Sequence, residues 1–280
     1  MRSIFYKFTL ISFFCLQLQG CESFQGLNAK PSDTADEYAD WNVEKFRLEA
    51  KKALDSGNYE KSIKLYETLE ARYPFGEDAA QAQLDVAYAY FKNDDTESAL
   101  AAADRFIKIN PRSPGIDYAY YLKGLINYNR GIGFVDRYLP TDISQRDPGS
   151  ARDAFDNFSE LLRRFPESKY IADARQRMVA LKNNLAMHEV HVARYYMKTR
   201  CYVAALDRAT TVIDKYQRTP AVPLALEIMQ EAYTKMEMHD MANETASVYQ
   251  LNYPDGPPAA SEQSGTTVSH KIWNLIGLDR

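Results

Sequence analysis

The sequence is short of cysteine, of long apolar runs and of excess positive charge, and each shortage removes a class of protein. Only three cysteines occur in 280 residues: Cys15, Cys21 and Cys201. Cys15 falls in a segment that reads as a leader and Cys21 directly after it, at a position read below as lipidated, so Cys201 stands alone and no intramolecular disulfide can form. As a lone thiol it is expected to be a small buried residue on a helix. The apolar run Phe8 to Leu16 is too short to span a bilayer. A formal net charge of −4 argues against nucleic acid as a partner. There is no nucleophile elbow, no H-E-x-x-H and no nucleotide loop; Gly131-Ile132-Gly133 lacks both a preceding strand and a following Gly-Lys-Ser/Thr. No enzyme activity, cofactor or metal site is therefore expected. His188 and His191 lie three apart on one helical face, a spacing that can ligate a metal, but no catalytic carboxylate–histidine pattern accompanies them.

What the chain does have is a repeated helical phrase. In residues 50–74, Ala50, Ala53 and Leu54 form an apolar stripe, and Gly57-Asn58 breaks it, because glycine tolerates the positive φ that closes a helix. Ser62, Ile63, Tyr66 and Leu69 then recur at helical spacing, and Pro74 ends the unit. The phrase returns downstream. Ala50 to Pro74, Ala87 to Pro111 and Ala193 to Gln217 each span 24 positions. Gly124 to Pro166 spans 42, which implies an insertion, and Ala232 to Pro254 spans 22, which implies a shortened turn. A second small residue stands midway in each copy: Ser62, Ala99, Ala154, Ala205 and Ala242. Small residues at two fixed points let paired helices approach closely. This grammar resembles the tetratricopeptide repeat. The expected fold is all-α, a solenoid of five tetratricopeptide-like helix pairs with an insertion in repeat three.

The ends read differently. Residues 1–20 carry Arg2 and Lys7 before the apolar run, the pattern of a secretory signal, with a buried helix as the alternative. Leu18-Gln19-Gly20-Cys21 resembles a bacterial lipobox, with cleavage between Gly20 and Cys21 and lipidation of Cys21. Glu22 stands where an aspartate often marks inner-membrane retention, which favours the outer membrane. Residues 21–40 read as a lipidated N-terminus and polar tether, and 41–254 as the solenoid, divided at 166/167 into N-terminal and C-terminal repeats. Residues 255–280 form a tail whose end holds Ile272, Trp273, Leu275, Ile276 and Leu278. Within the solenoid, 169–199 reads as nearly continuous helix, and 129–148 as a Gly-, Pro- and charge-rich insertion on one face.

Twenty tyrosines and 13 phenylalanines need placing. Tyr88, Phe91 and Lys92 fall on the first helix of the second unit, and Tyr118, Tyr121 and Tyr128 on that of the third. Spacings of three and seven share a helix face. Two readings fit: the residues line a groove for an extended peptide with aromatic side chains, or the rings only pack against the neighbouring unit.

Four segments narrow the family. Arg72-Tyr73-Pro74-Phe75-Gly76, the run Ala87 to Asn93, Asp104 to Pro111 and Arg146-Asp147-Pro148 through Phe155 stand in this order behind the lipobox. Together they resemble the BamD (ComL) family of lipoproteins of the outer-membrane β-barrel assembly machinery, over about Ala50 to Pro254. The tail and residues 129–140 depart from that pattern. The resemblance implies a non-catalytic lipoprotein of five repeats, held by its lipid on the periplasmic side of the outer membrane beside other assembly lipoproteins. It implies that C-terminal repeats bind the barrel-forming subunit (BamA), with Arg208 matching a family arginine at that contact. It also implies that N-terminal repeats receive the aromatic-ended targeting peptides of unfolded outer-membrane proteins. The residue-level alternative for Arg208 is a solvated helix charge. A repeat lipoprotein regulating a peptidoglycan synthase, or a pilotin-like lipoprotein of a secretin or pilus, would share the signal and the solenoid. Neither predicts the RYPFG and RDP segments.

Overall fold

The computed structural model describes residues 37–130 and 142–256. The expected leader 1–20, Cys21 and the tether up to residue 36, residues 131–141 of the expected insertion, and the tail from 257 lie outside the described residues. The chain divides into two compact units, Met1–Asn42 and Val43–Arg280. The described part of the first is a turn in which the Trp41 amide donates to the Tyr38 carbonyl at 3.0 Å while their rings meet edge to face.

The second unit holds ten α-helices among the described residues: α1 Val43–Asp55, α2 Tyr59–Arg72, α3 Glu77–Lys92, α4 Thr96–Ile109, α5 Ile116–Arg130, α6 Gly149–Arg164, α7 Ile171–Lys198, α8 Tyr202–Lys215, α9 Ala221–Lys235 and α10 His239–Asn252. A 3₁₀ turn, Ile143–Gln145, precedes α6, and no strand occurs among the described residues. Each helix packs on its neighbour in sequence, and α1 also meets α3, α3 meets α5 and α7 meets α9. That pattern of neighbours and next-but-one neighbours makes the all-α, tetratricopeptide-like solenoid read from the sequence.

The turns explain the periodicity. After α1, α3, α7 and α9 one residue takes the left-handed conformation: Gly57, Asp94, Arg200 and Glu237, with φ of 78°, 59°, 61° and 61°. The following amide reaches back five residues in every case: Asn58 to the Ala53 carbonyl, Asp95 to Tyr90, Cys201 to Tyr196 and Met238 to Tyr233, at 2.9–3.0 Å. This closure satisfies carbonyls that the helix end would otherwise leave orphaned. Asn58 and Asp95 then cap the next helix by accepting from the amides of Lys61 and Ser98. The turn before α10 therefore has full length, and the position matching Ala50 is held by Gln230, not by Ala232. The cause of the misreading is plain: Ala232 is buried and Gln230 exposed, so the small-residue signal points two places too far. Cys201 is also corrected. It sits at the N-terminal cap of α8, the place of Asn58 and Asp95, and is exposed rather than buried.

Close approach at the small positions is visible atom by atom. Ser62 Oγ donates to the Ala50 carbonyl at 3.0 Å in a buried contact between α1 and α2. Ala99, Ala154 and Ala205 are fully buried, and Ala242 nearly so. At Gly124 the demand is strictest, since an added Cβ would lie 2.3, 2.5 and 2.8 Å from three atoms of the Phe158 ring on α6.

Two cores result. One joins Leu84, Phe106, Tyr120, Phe158, Leu161 and Leu181 with their smaller neighbours. The other joins Ala186, Val190, Ala193, Ala209, Val212 and Ile228 with theirs. The 28-residue α7, the continuous helix expected over 169–199, gives its first half to one and its second half to the other.

Gly124→Leu should lower the melting temperature measured by circular dichroism, because the Phe158 ring must leave its seat. Leucine gains about 1 kcal/mol in helix propensity over glycine, whereas losing a buried phenylalanine contact costs about 3–5 kcal/mol. Displacement therefore wins. Ala99→Trp should act in the same direction and exposed Ala172→Leu should be neutral. Unchanged melting of both buried variants would contradict the helix contacts described.

Candidate functional site

The six residues proposed from the sequence for peptide binding fall into two neighbouring groups. On α3, the Tyr88 and Phe91 rings are 6.2 Å apart, both half-buried, and Lys92 lies 5.9 Å above the Tyr59 ring. On α5, Tyr118 and Tyr121 join Tyr170, which stands just before α7. Tyr121 stacks on Tyr170 at 4.6 Å and 12°, and Tyr118 meets Tyr170 at 5.4 Å. The two groups approach each other, since Tyr88 lies near enough to Tyr118 to disfavour its ionisation.

A charged network backs the stack. The Tyr121 hydroxyl donates to Asp173 at 2.6 Å, and Arg177 donates to both oxygens of the same carboxylate at 2.6 and 3.3 Å. The Arg177 guanidinium also lies 4.9 Å over the Tyr128 ring, so Tyr128 is tied to the cluster through a cation. Burial, and then the bond to Asp173, push the Tyr121 phenol up to about 12. Burial pushes Tyr118 up further, with Tyr88 and Tyr170 adding to it. Both therefore stay neutral at any physiological pH. Asp173 moves the other way: burial opposes ionisation, but the hydrogen bonds from Arg177 and Tyr121 and the charge of Arg177 outweigh it. Tyr128, Arg130, Arg146 and His188 line part of an open cleft of about 500 Å³ beside the cluster.

Arg208 is elsewhere, on α8, and it is neither free nor merely solvated. Its Nη1 donates to Glu189 Oε2 of α7 at 3.1 Å. Glu189 is only 3% exposed, and Arg152 of α6 approaches its other oxygen at 3.5 Å. A buried carboxylate is thus held between arginines from two flanking helices. The pair with Glu189 raises the Arg208 pKa. The Arg208 side chain as a whole remains 40% exposed.

The histidine pair has a structural partner. His188 Nδ1 lies 2.9 Å from the Ser144 carbonyl, and His191 Nε2 lies 3.1 Å from Ser144 Oγ and 3.2 Å from Asp142. The two rings hold the segment before α6 against α7. Among the described residues no group of three or more His, Cys, Asp or Glu is placed to hold a metal ion.

With this geometry in place, comparison with known proteins is decisive. The family described as "YfiO: Outer membrane lipoprotein" matches residues 40–248. The chain belongs to the YfiO outer membrane lipoprotein family. Relatives named "Outer membrane protein assembly factor BamD" are similar across most of the family fold. The protein from Neisseria meningitidis serogroup B is 46% identical over 218 residues, 78% of this chain and 82% of the relative. That from Vibrio cholerae is 38% identical over 73% of this chain and 85% of the relative. That from Pasteurella multocida is 32% identical over 88% and 90%. The family expected from the four segments is the one found.

In this YfiO-family chain, sequence reading missed Tyr170, Asp173 and Arg177, and with them the partners that fix Tyr121. The Asp173/Arg177 spacing of four was a usable signal, since such pairs meet on a helix. Glu189 and Arg152 had no comparable signal, because three separate helices bring that cluster together.

The Asp173 shift has a direct consequence. A carboxylate whose folded pKa is depressed contributes stability above its unfolded value, about 3.9, and loses it as pH falls through the folded value. Asp173→Asn should therefore melt below the parent at pH 7, and the gap should close as pH falls from about 5 toward 2. A gap independent of pH would show that the carboxylate charge contributes nothing there.

Proposed function

We propose that this chain is a non-catalytic scaffold in the assembly of β-barrel proteins into the outer membrane. The observation that carries this reading is its similarity to proteins named outer membrane protein assembly factor BamD, over most of both chains. No helix among the described residues is long and apolar enough to cross a membrane. In this reading the attachment is a lipid on Cys21, and the helices, counted as five pairs with an insertion at 129–148, face the periplasm.

The reading divides the labour. C-terminal repeats take the barrel-forming subunit, other assembly lipoproteins sit alongside, and N-terminal repeats take the aromatic-ended peptides of unfolded outer-membrane proteins. The half-buried ring cluster of Tyr88, Phe91, Tyr118 and Tyr121 suits the last task. Its rings offer π faces, and Lys92 and Arg177 supply cations for a peptide carboxylate. Arg208 would meet the barrel-forming subunit with its outer edge while its inner edge stays on Glu189. Co-purification from detergent-solubilised envelopes tests the assignment. Recovery of a peptidoglycan synthase or a secretin, without a barrel-forming subunit, would overturn it.

Cys21→Ser should leave the protein without lipid, read by incorporation of radiolabelled fatty acid. Label incorporated into that variant would remove Cys21 as the anchor.

Arg208→Glu sets a second negative charge against buried Glu189, so binding and folding must be read together. Breaking a buried pair costs about 3–5 kcal/mol, lessened here because Arg152 also faces the carboxylate. Arg208→Ala should weaken binding of the barrel-forming subunit, whereas Glu189→Gln, which keeps the arginine, should not. Equal loss in both variants would assign Arg208 to the internal clamp alone. Tyr121→Ala should weaken capture of an aromatic-ended peptide, Tyr121→Phe much less, with circular dichroism confirming the fold. Loss of both ligands from one folded variant would refute the division.

A further inference from the structure

α10 packs on α9, and among the described residues no helix follows it. Ala242 and Thr245 are its buried positions. Beside them run Met241, Val248 and Leu251, which are 40, 46 and 83% exposed. Met241 and Val248 are seven residues apart and share a face, and Leu251 extends it by a turn. This is where the next helix would pack if the array continued. Repeat arrays are stable and soluble when a terminal element with a polar outer face covers such a surface.

We propose that the segment Ile272–Leu278 docks on this face of α10 and closes the end of the array. Ile272, Leu275 and Ile276 recur at helical spacing, with Trp273 and Leu278 enlarging the apolar surface. Residues 257–270 form the tether. A chain of that length has a root-mean-square span of about 20 Å, and the 14 residues of α10 extend about 21 Å. The segment can reach any point on the face. Charge agrees as well. α10 carries Asp240 and Glu244 with no lysine or arginine, while residues 271–280 carry Lys271 and Arg280 against one acid, Asp279. Tethering gives the segment an effective concentration in the millimolar range, which favours it over a second copy of the chain.

Trp41 and Trp273 are the two tryptophans of the sequence, so Trp41→Phe leaves Trp273 as the sole reporter. In the mature full-length protein carrying that change, Trp273 emission should be blue-shifted and resistant to acrylamide quenching, relative to a free peptide of residues 266–280. The shift should not depend on protein concentration. Val248→Asp with Leu251→Asp should return emission and quenching to the peptide values. Should that pair unfold the protein, Leu275→Asp with Ile276→Asp replaces it, read as faster hydrogen exchange of the α10 amides. Peptide-like quenching at every concentration would overturn the proposal and leave the face to another protein. A shift that appears only as concentration rises would overturn it in favour of a second copy.

Discussion

The array depends on how near two helix backbones can come. Where α1 meets α2, the Ser62 hydroxyl touches the Ala50 carbonyl, a contact possible only when neither helix presents a large side chain. The same condition recurs at the buried alanines of the later pairs, and at Gly124 it leaves no room even for a methyl group. Proximity alone would leave gaps on either side. Those are filled by the large residues one or two turns away: Leu69, Phe106, Leu161 and Val212, each seven positions after the small residue of its helix and each almost wholly buried. Small and large positions therefore form one device, in which the first sets the distance and the second fills the space.

The buried acid on α7 follows a different logic. Glu189 has given up its hydration, and a single arginine at this distance would not reliably offset that loss. Two arginines from different helices approach its two oxygens, and both side chains stay partly exposed, which moderates their own desolvation. The arrangement ties α6 and α8 to the middle helix at the place where one core gives way to the other. It also sets the terms on which Arg208 can meet an outside partner, because the inner half of its guanidinium is already engaged.

Much of this was legible in the sequence, because the periodic alanines, the closing prolines and Gly57 are local signals. The left-handed residues of the later turns were not. Asp94, Arg200 and Glu237 adopt the conformation that glycine signals, each within the same five-residue backbone closure. Cys201 was misplaced because the expectation rested on how lone thiols usually pack, and its own side chain does not mark the position as a helix cap. In the aromatic cluster the tyrosines of α3 and α5 were found by spacing. Tyr170, which stacks on Tyr121, lies 49 positions along the chain, and no periodicity links them. The resemblance pointed to Arg208, but only the fold reveals that a glutamate 19 residues earlier faces it.

α7 contains no proline and no glycine across its 28 residues, so nothing in it marks a hinge. With one half embedded in the first core and the other in the second, it acts as a clamped beam about 42 Å long. Torque applied to the C-terminal helices is borne by the backbone hydrogen bonds of a single helix instead of being absorbed in a loop. Its first turns carry Asp173 and Arg177 beneath the ring cluster, and its last half carries Glu189 beneath Arg208. The two surfaces are thus mounted on one stiff element, and their spacing is fixed by a count of residues.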